Sequence, residues 1–316
     1  MPATKPSRDG YGEGLVWLGE HNPNVVVLGA DLTASTRADW FKAKFPDRFY
    51  SIGIAEQNML CVAAGLSLTG KIPFVCTYGV FVAGRAWDQV RTTICYANLN
   101  VKIGGAHGGI SVGPDGATHQ ALEDIALMRV LPNMTVVVPC DSIETRKATI
   151  AIGQELEGPA YVRFGREPIP IITEESTPFK LGRAETFRPG HDVSVIACGY
   201  LVSEALRAAE ELEQDGVSVR VINLHTVKPI DREAIARAAA ETGAIVAAEE
   251  HQVMAGFCSA VAEVVVNERP VPMRFVGIQD RFGESGEPEE LLCEFGCTAN
   301  DITRAIREVL KAKSRR

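Results

Sequence analysis

Residues 49–79 read FYSIGIAEQNMLCVAAGLSLTGKIPFVCTYG. A short apolar run comes first, then an apolar-periodic stretch closed by Gly70, then a second apolar run rich in β-branched and aromatic residues. This order predicts strand, helix and strand. The rhythm extends both ways. Upstream, NVVVLGAD (24–31) and ADWFKAKFP (38–46) read as a strand and a short helix. Downstream, GRAWDQVRTTICYANL (84–99), NVKIGGAHGG (100–109), THQALEDIALMRVLP (118–132), MTVVVPC (134–140), SIETRKATIAIGQEL (142–156) and PAYVRFG (159–165) continue the alternation. The strand runs are apolar throughout rather than at every second position, as expected for a parallel sheet with helices on both faces.

Residues 166–191, with four prolines and scattered charge, break the rhythm and read as a connection. The pattern restarts with DVSVIACG (192–199) and closes with ITRAIREVLKAK (302–313). The expected fold is α/β with two domains, residues 1–170 and 192–316, joined by a linker at 171–191; each domain is a mostly parallel sheet flanked by helices.

Composition excludes several classes. The chain has 316 residues, 46% hydrophobic and 23% charged, enough for two packed cores. A net charge of −8 leaves no electrostatic footprint for nucleic acid or an anionic membrane surface. The N-terminal MPATKPSRDG lacks the apolar core of a secretory signal, and no stretch reaches the roughly 18 apolar residues of a spanning helix. A cytoplasmic protein is expected. Most of the eight cysteines lie in apolar runs such as FVCTYGV and SVIACGY, as core residues of a reducing compartment would. Cys293 and Cys297 are spaced i, i+4 with no second ligand pair, so no metal site is expected in this chain.

Two features do not belong to a plain core. Glu56 places a carboxylate in the first turn of an otherwise apolar helix, where the helix dipole favours the anion and burial favours the neutral acid. Residues 104–120, GGAHGGISVGPDGATHQ, gather glycines, His107, Asp115 and His119 between a strand and a helix. In a parallel sheet such a loop lies at the carboxyl ends of the strands, where ligands bind. Thr118 is placed to cap the helix that follows. The loop holds neither GxGxxG nor GxxxxGK[ST], so a dinucleotide or P-loop site is not indicated.

In order and spacing, GIAEQNM (53–59), GVFVAGRAWDQVR (79–91), HGGISVGPDGATHQALEDIALMR (107–129) and YVRFGR (161–166) resemble the pyrimidine-binding domain of the transketolase family. The residues from 192 onward, with EEHQVMAGFCSAVAE at 249–263, resemble that family's C-terminal domain. The resemblance implies thiamine diphosphate as cofactor. It matches Glu56 to the carboxyl group that hydrogen-bonds the aminopyrimidine and drives the tautomer whose exocyclic nitrogen takes the thiazolium proton. Phe81, with Tyr78 as a neighbouring alternative, matches the residue that stacks on that ring. Asp115 resembles the carboxylate that reads a substrate hydroxyl beside the reacting carbonyl. His107 and His119 resemble the histidines that bind the donor sugar and its phosphate end, His119 with a catalytic role. Arg166 matches a phosphate clamp, which a guanidinium fork suits. Arg8 in SRDG and Ser35 in ADLTAS fall where the family places two further phosphate contacts.

The family's pyrophosphate half holds magnesium through Gly-Asp-Gly followed later by Asn. Here the only comparable Asp-Gly pair, Asp115-Gly116, belongs to the substrate loop, and few residues precede Arg8. The resemblance therefore implies the C-terminal subunit of a split transketolase. Its partner would be an N-terminal subunit that carries the pyrophosphate domain and most of the Mg2+ site, in a two-plus-two assembly acting on sugar phosphates. The implied reaction moves a two-carbon ketol unit from a phosphorylated ketose to an aldose. Two other enzymes share the scaffold. Deoxyxylulose-phosphate synthase normally has Asp-Arg where Ala106-His107-Gly108 stand, and the β subunit of 2-oxoacid dehydrogenases does not generally carry the GxDGxTHQ loop. A non-catalytic assembly subunit would need none of Glu56, Asp115, His119 or Arg166. The second domain is expected to support assembly without a catalytic role, and His251 is as readily structural as functional.

Overall fold

The structure is a computed structural model and describes residues 3–315. Residues 1, 2 and 316, which the expected domain ranges include, lie outside the described residues. The first domain runs β1 (Thr4–Pro6), α1 (Ser7–His21), β2 (Val25–Gly29), α2 (Ala38–Lys44), β3 (Phe49–Ser51), α3 (Glu56–Leu68) and β4 (Ile72–Tyr78). It continues through β5 (Lys102–Ala106), α4 (Asp124–Arg129), β6 (Thr135–Val137), α5 (Ser142–Gln154), β7 (Ala160–Arg163) and β8 (Pro168–Pro170). The second part runs β9 (Glu185–Arg188), β10 (Val193–Ala197), α6 (Leu201–Glu213), β11 (Val219–Asn223), β12 (Thr226–Lys228) and α7 (Arg232–Thr242). It ends with β13 (Ile245–Gln252), α8 (Phe257–Glu268), β14 (Met273–Ile278), α9 (Pro288–Glu294) and α10 (Ala299–Lys313).

The opening stretch is the β3-α3-β4 unit. Its strands belong to a seven-stranded sheet of order β12-β6-β7-β5-β4-β2-β3, parallel except where β12 meets β6. The second sheet, β14-β13-β10-β11-β9, is parallel except for β9. Successive residues of a strand point to opposite faces. In β2, Val26 and Leu28 pack with Met59 and Leu60 of α3, while Val25 and Val27 pack with Leu15 of α1 and Ile152 of α5. Both faces are covered, which is why the strand is apolar throughout. The apolar layer beneath α3 continues into Ile196, Ile222, Phe257 and Val261 of the second part, so the two sheets share a core.

Several expectations are corrected. The connecting stretch 166–191 carries two short strands: β8 pairs antiparallel with β1, and β9 forms the edge of the second sheet against β11. β12, from the second part, crosses to the first sheet, where Thr226 lies opposite Val137. The helix read at 84–99 is wound as π-helical turns over Phe81–Arg85 and Gln89–Cys95. The helix read at 118–132 begins only at Asp124, because Gly109 N–H donates to Ala121 O at 3.0 Å and holds the preceding residues out of it. Thr118 therefore caps no helix; its hydroxyl lies 2.9 Å from His119 Nδ1. Cys61 and Cys293 are exposed and the other six cysteines are buried free thiols. Among the described residues, no helix is long and apolar enough to cross a membrane, and no group of three or more His, Cys, Asp or Glu is arranged to hold a metal ion.

Candidate active site

β3, β4, β5 and β7 run parallel, so their carboxyl ends share one edge of the sheet. The chain beyond each end delivers part of a site, as is general for open parallel sheets. Glu56 follows β3, Tyr78 ends β4 with Phe81 just beyond, His107 follows β5, and Arg166 follows β7.

Glu56 is the first residue of α3 and only 1% exposed. Its Oε2 accepts a hydrogen bond from Arg85 Nη1 at 3.0 Å, whereas its Oε1 is buried with no partner. A buried acceptor left unpaired is costly, so an open Oε1 marks a place prepared for a donor. The π-helical turn that carries Phe81 and Arg85 keeps both on one side, with the Arg85 guanidinium 4.8 Å from the centre of the Phe81 ring.

The aromatic alternatives separate clearly. Tyr78 is buried and stacks on His107, ring centres 3.9 Å apart. Phe81 is half-buried and leans on Tyr78 at 5.6 Å, leaving ring surface for something else. His119 stands edge-on to both, 5.9 Å from Tyr78 and 5.5 Å from Phe81.

His107 is buried in the left-handed region at φ 57°, and its Nδ1 has no partner. Burial pushes its pKa down to about 3, helped by the Arg8 and Arg166 guanidinium groups and by His119. The imidazole is therefore neutral at ordinary pH. Arg166 Nη1 donates to Asp115 Oδ2 at 3.1 Å, and its Nε lies 3.3 Å from Glu167 Oε1. Arg8 Nη1 donates to the backbone carbonyl of Ser35 at 3.3 Å, which brings those two together. Ser35 is not a helix cap, since α2 begins after Arg37. Direct contacts gather these residues into three groups, Glu56 with Arg85, Phe81, Tyr78, His107 and His119, then Arg166 with Asp115, and Arg8 with Ser35; the guanidinium groups of the last two both act on His107. Arg85 was missed, because apolar periodicity does not reveal a π turn.

Glu56 Oε1 is thus an open acceptor, and Arg85 links its carboxylate to the face of the Phe81 ring. Residues 4–170 match the family model "Transketolase, pyrimidine binding domain", and residues 182–302 match "Transketolase, C-terminal domain". These are the two α/β domains of one enzyme class. The chain belongs to the transketolase family. It is 43% identical to a putative transketolase C-terminal section of Methanocaldococcus jannaschii over 97% of each chain. It is also 43% identical to the 6-deoxy-6-sulfo-D-fructose transketolase subunit SqwH of Clostridium sp. (strain MSTE9), over 97% of this chain and 95% of that one. A solved structure, "Split gene transketolase, inactive beta4 tetramer", superimposes with a TM-score of 0.92 at 48% identity, over 98% of this chain and 99% of that one. The family is in general dependent on thiamine diphosphate.

Proposed function

We propose that this chain is the C-terminal subunit of a split transketolase. With a separate N-terminal subunit that carries the pyrophosphate domain and holds Mg2+, it transfers a two-carbon ketol unit from a phosphorylated ketose to an aldose. The observation that carries this reading is the unpartnered, buried Glu56 Oε1 beside the half-exposed Phe81 ring. Likeness over nearly the whole chain to proteins named as transketolase subunits supports it.

Thiamine diphosphate, when bound, supplies the nucleophilic carbon and the electron sink for carbon–carbon cleavage. The chain's own residues do the rest. Glu56 Oε1 would hydrogen-bond the aminopyrimidine of the bound cofactor, and Phe81 would set that ring's plane by stacking. Tyr78 backs Phe81 and keeps the His107 ring in place. His119 reaches the reacting end of the donor and moves protons to and from its hydroxyl groups. Asp115 accepts a hydrogen bond from the hydroxyl beside the reacting carbonyl, and neutral His107 hydrogen-bonds the donor. Arg166 and Arg8, with Ser35, bind the phosphate end through charge-assisted hydrogen bonds. We place the active sites at the interface with the partner, in a two-plus-two complex working in the cytoplasm.

The test is calorimetric titration of thiamine diphosphate and Mg2+ into the chain alone and into the chain mixed with a candidate N-terminal subunit. Tight binding only in the mixture is expected. Tight Mg2+-dependent binding to the chain alone would overturn the split arrangement. Glu56→Ala in the assembled complex should abolish turnover and leave assembly intact, and near-normal turnover would refute the catalytic assignment.

A further inference from the structure

Three residues at the end of β13, Glu250 to Gln252, meet the loop and helix that follow β5. Glu250 Oε1 accepts a hydrogen bond from the backbone N–H of Ser111 at 2.7 Å. The carbonyl of Glu250 accepts from Arg163 Nη2 at 2.9 Å. His251 Nε2 accepts from the Ala126 N–H at 3.4 Å, and Gln252 N–H donates to Leu122 O at 2.9 Å. Glu249 faces the other way. It accepts from the N–H groups of Phe257 and Cys258 at 2.7 and 2.8 Å, tying the strand end to the start of α8. A second part of the same domain closes on the loop from outside: Gln120 Nε2 donates both to Ile110 O at 3.1 Å and to Glu284 O at 2.8 Å.

These contacts explain two of the loop's glycines. A Cβ on Gly109 would lie 2.2 Å from Glu250 Oε1, at a φ of 101° that already disfavours any side chain. A Cβ on Gly108 would lie 2.6 Å from Arg163 Nε. The pair is needed because Glu250 and Arg163 press against the backbone there. Arg163 is itself held by Asp124 Oδ2 at 2.9 Å and by Ala121 O at 2.9 Å, so Glu250 meets a rigid surface. Glu250 is buried, and a carboxylate accepting a backbone N–H makes one of the stronger hydrogen bonds available.

We propose that Glu250 is a positioning residue for donor binding. Through its bond to Ser111, the second domain sets the course of residues 109–116, from which Asp115 reaches Arg166 and after which His119 faces Phe81. A glycine-rich loop left to itself populates many backbone states, and an anchored amide at its middle removes most of them. The inference rests on the reading of this loop as the sugar site.

The experiment measures hydrogen exchange in peptides covering residues 107–119 of the full chain, for the parent, Glu250→Gln and Glu250→Ala. In parallel, KM and kcat are measured in the complex with the N-terminal subunit, using D-fructose 6-phosphate as donor probe. Glu250→Ala should speed loop exchange about tenfold or more and raise donor KM by a similar factor, with a smaller change in kcat. Glu250→Gln keeps an acceptor oxygen but loses the charge, so its effects should be roughly threefold. Thiamine diphosphate affinity should be the same in all three, because Glu56 and Phe81 lie off the loop. If the alanine variant does not fold, the glutamine variant still decides. Unchanged loop exchange overturns Glu250 as the anchor. Faster exchange with unchanged donor KM overturns the loop as the donor site, and the positioning role with it.

Discussion

Arg85 Nη1 lies 3.0 Å from Glu56 Oε2, so the buried carboxylate at the start of α3 is held on one side and open on the other. Arg85 is half-exposed, whereas Glu56 is not. Removing the arginine leaves a buried charge with no partner, which is costlier than removing both groups together. Arg85→Ala is expected to destabilise the cofactor-free chain by about 1–3 kcal/mol in urea unfolding. The same change made in a Glu56→Gln background should cost clearly less; equal costs in both backgrounds would mean that the pair does not couple.

Phe81 and Tyr78 compete for one role, and their surroundings separate them. Tyr78 is buried and spends a face on His107, while Phe81, although touched by Arg85, Tyr78 and His119, stays half-buried. Phe81→Ala should weaken thiamine diphosphate binding to the assembled complex roughly tenfold, as expected for loss of a stacked aromatic contact. Tyr78→Phe should leave it within about twofold, since the ring stays and only the hydroxyl is lost. Calorimetric titration reads both, and the reverse order of effects would transfer the stacking role to Tyr78.

Arg166 sits beside Asp115 and Glu167 with its side chain about one-third exposed, available to an anion. Arg166→Ala should raise KM for a phosphorylated ketose by roughly ten- to a hundredfold, the range for a lost charge-assisted contact. The same variant should use a non-phosphorylated ketose almost as well as the parent does. Equal loss on both donors would remove the phosphate role.

His107, with its pKa pushed down to about 3 by burial and the nearby guanidinium groups, should stay neutral throughout the working range. Its imidazole carbon-proton resonances should not move between pH 8 and pH 5 (roughly one and a half units on either side of the free imidazole pKa). The unfolded chain takes up this proton near pH 6.5, whereas the folded chain does so only near pH 3. More protons are then bound by the unfolded state in that window, so the stability this residue contributes is present above about pH 6.5 and is lost as pH falls towards 3. Chemical unfolding at a series of pH values should show His107→Gln with a shallower acid loss than the parent. An identical slope would contradict the buried neutral imidazole.

The strand-helix-strand unit at 49–79 was legible because its signal is local. Apolar spacing separates strand from helix within a few residues, and Gly70 ends the helix just after its C-cap, Thr69. The position of Glu56 at the head of α3 followed from the same spacing. The short strands were not legible. Thr226–Lys228 and Glu185–Arg188 have three and four residues, too few for a periodic signal, and each is a strand only because a distant edge offers hydrogen bonds. The π turns were hidden for a related reason, since the apolar pattern of GVFVAGRAWDQVR suits an α-helix as well as a wider one.

The sequence by itself determined the α/β class, the order of its main strands and helices, and the family to which they belong, because local patterning and motif spacing carry that information. Which groups face one another was decided by the tertiary structure. Arg85 meets Glu56 across 29 positions of sequence, and Glu250 meets Ser111 across 139. Such pairs leave no trace in local spacing; they exist because parallel strands bring their carboxyl ends to one edge and a second sheet packs its own strand end against the loops gathered there.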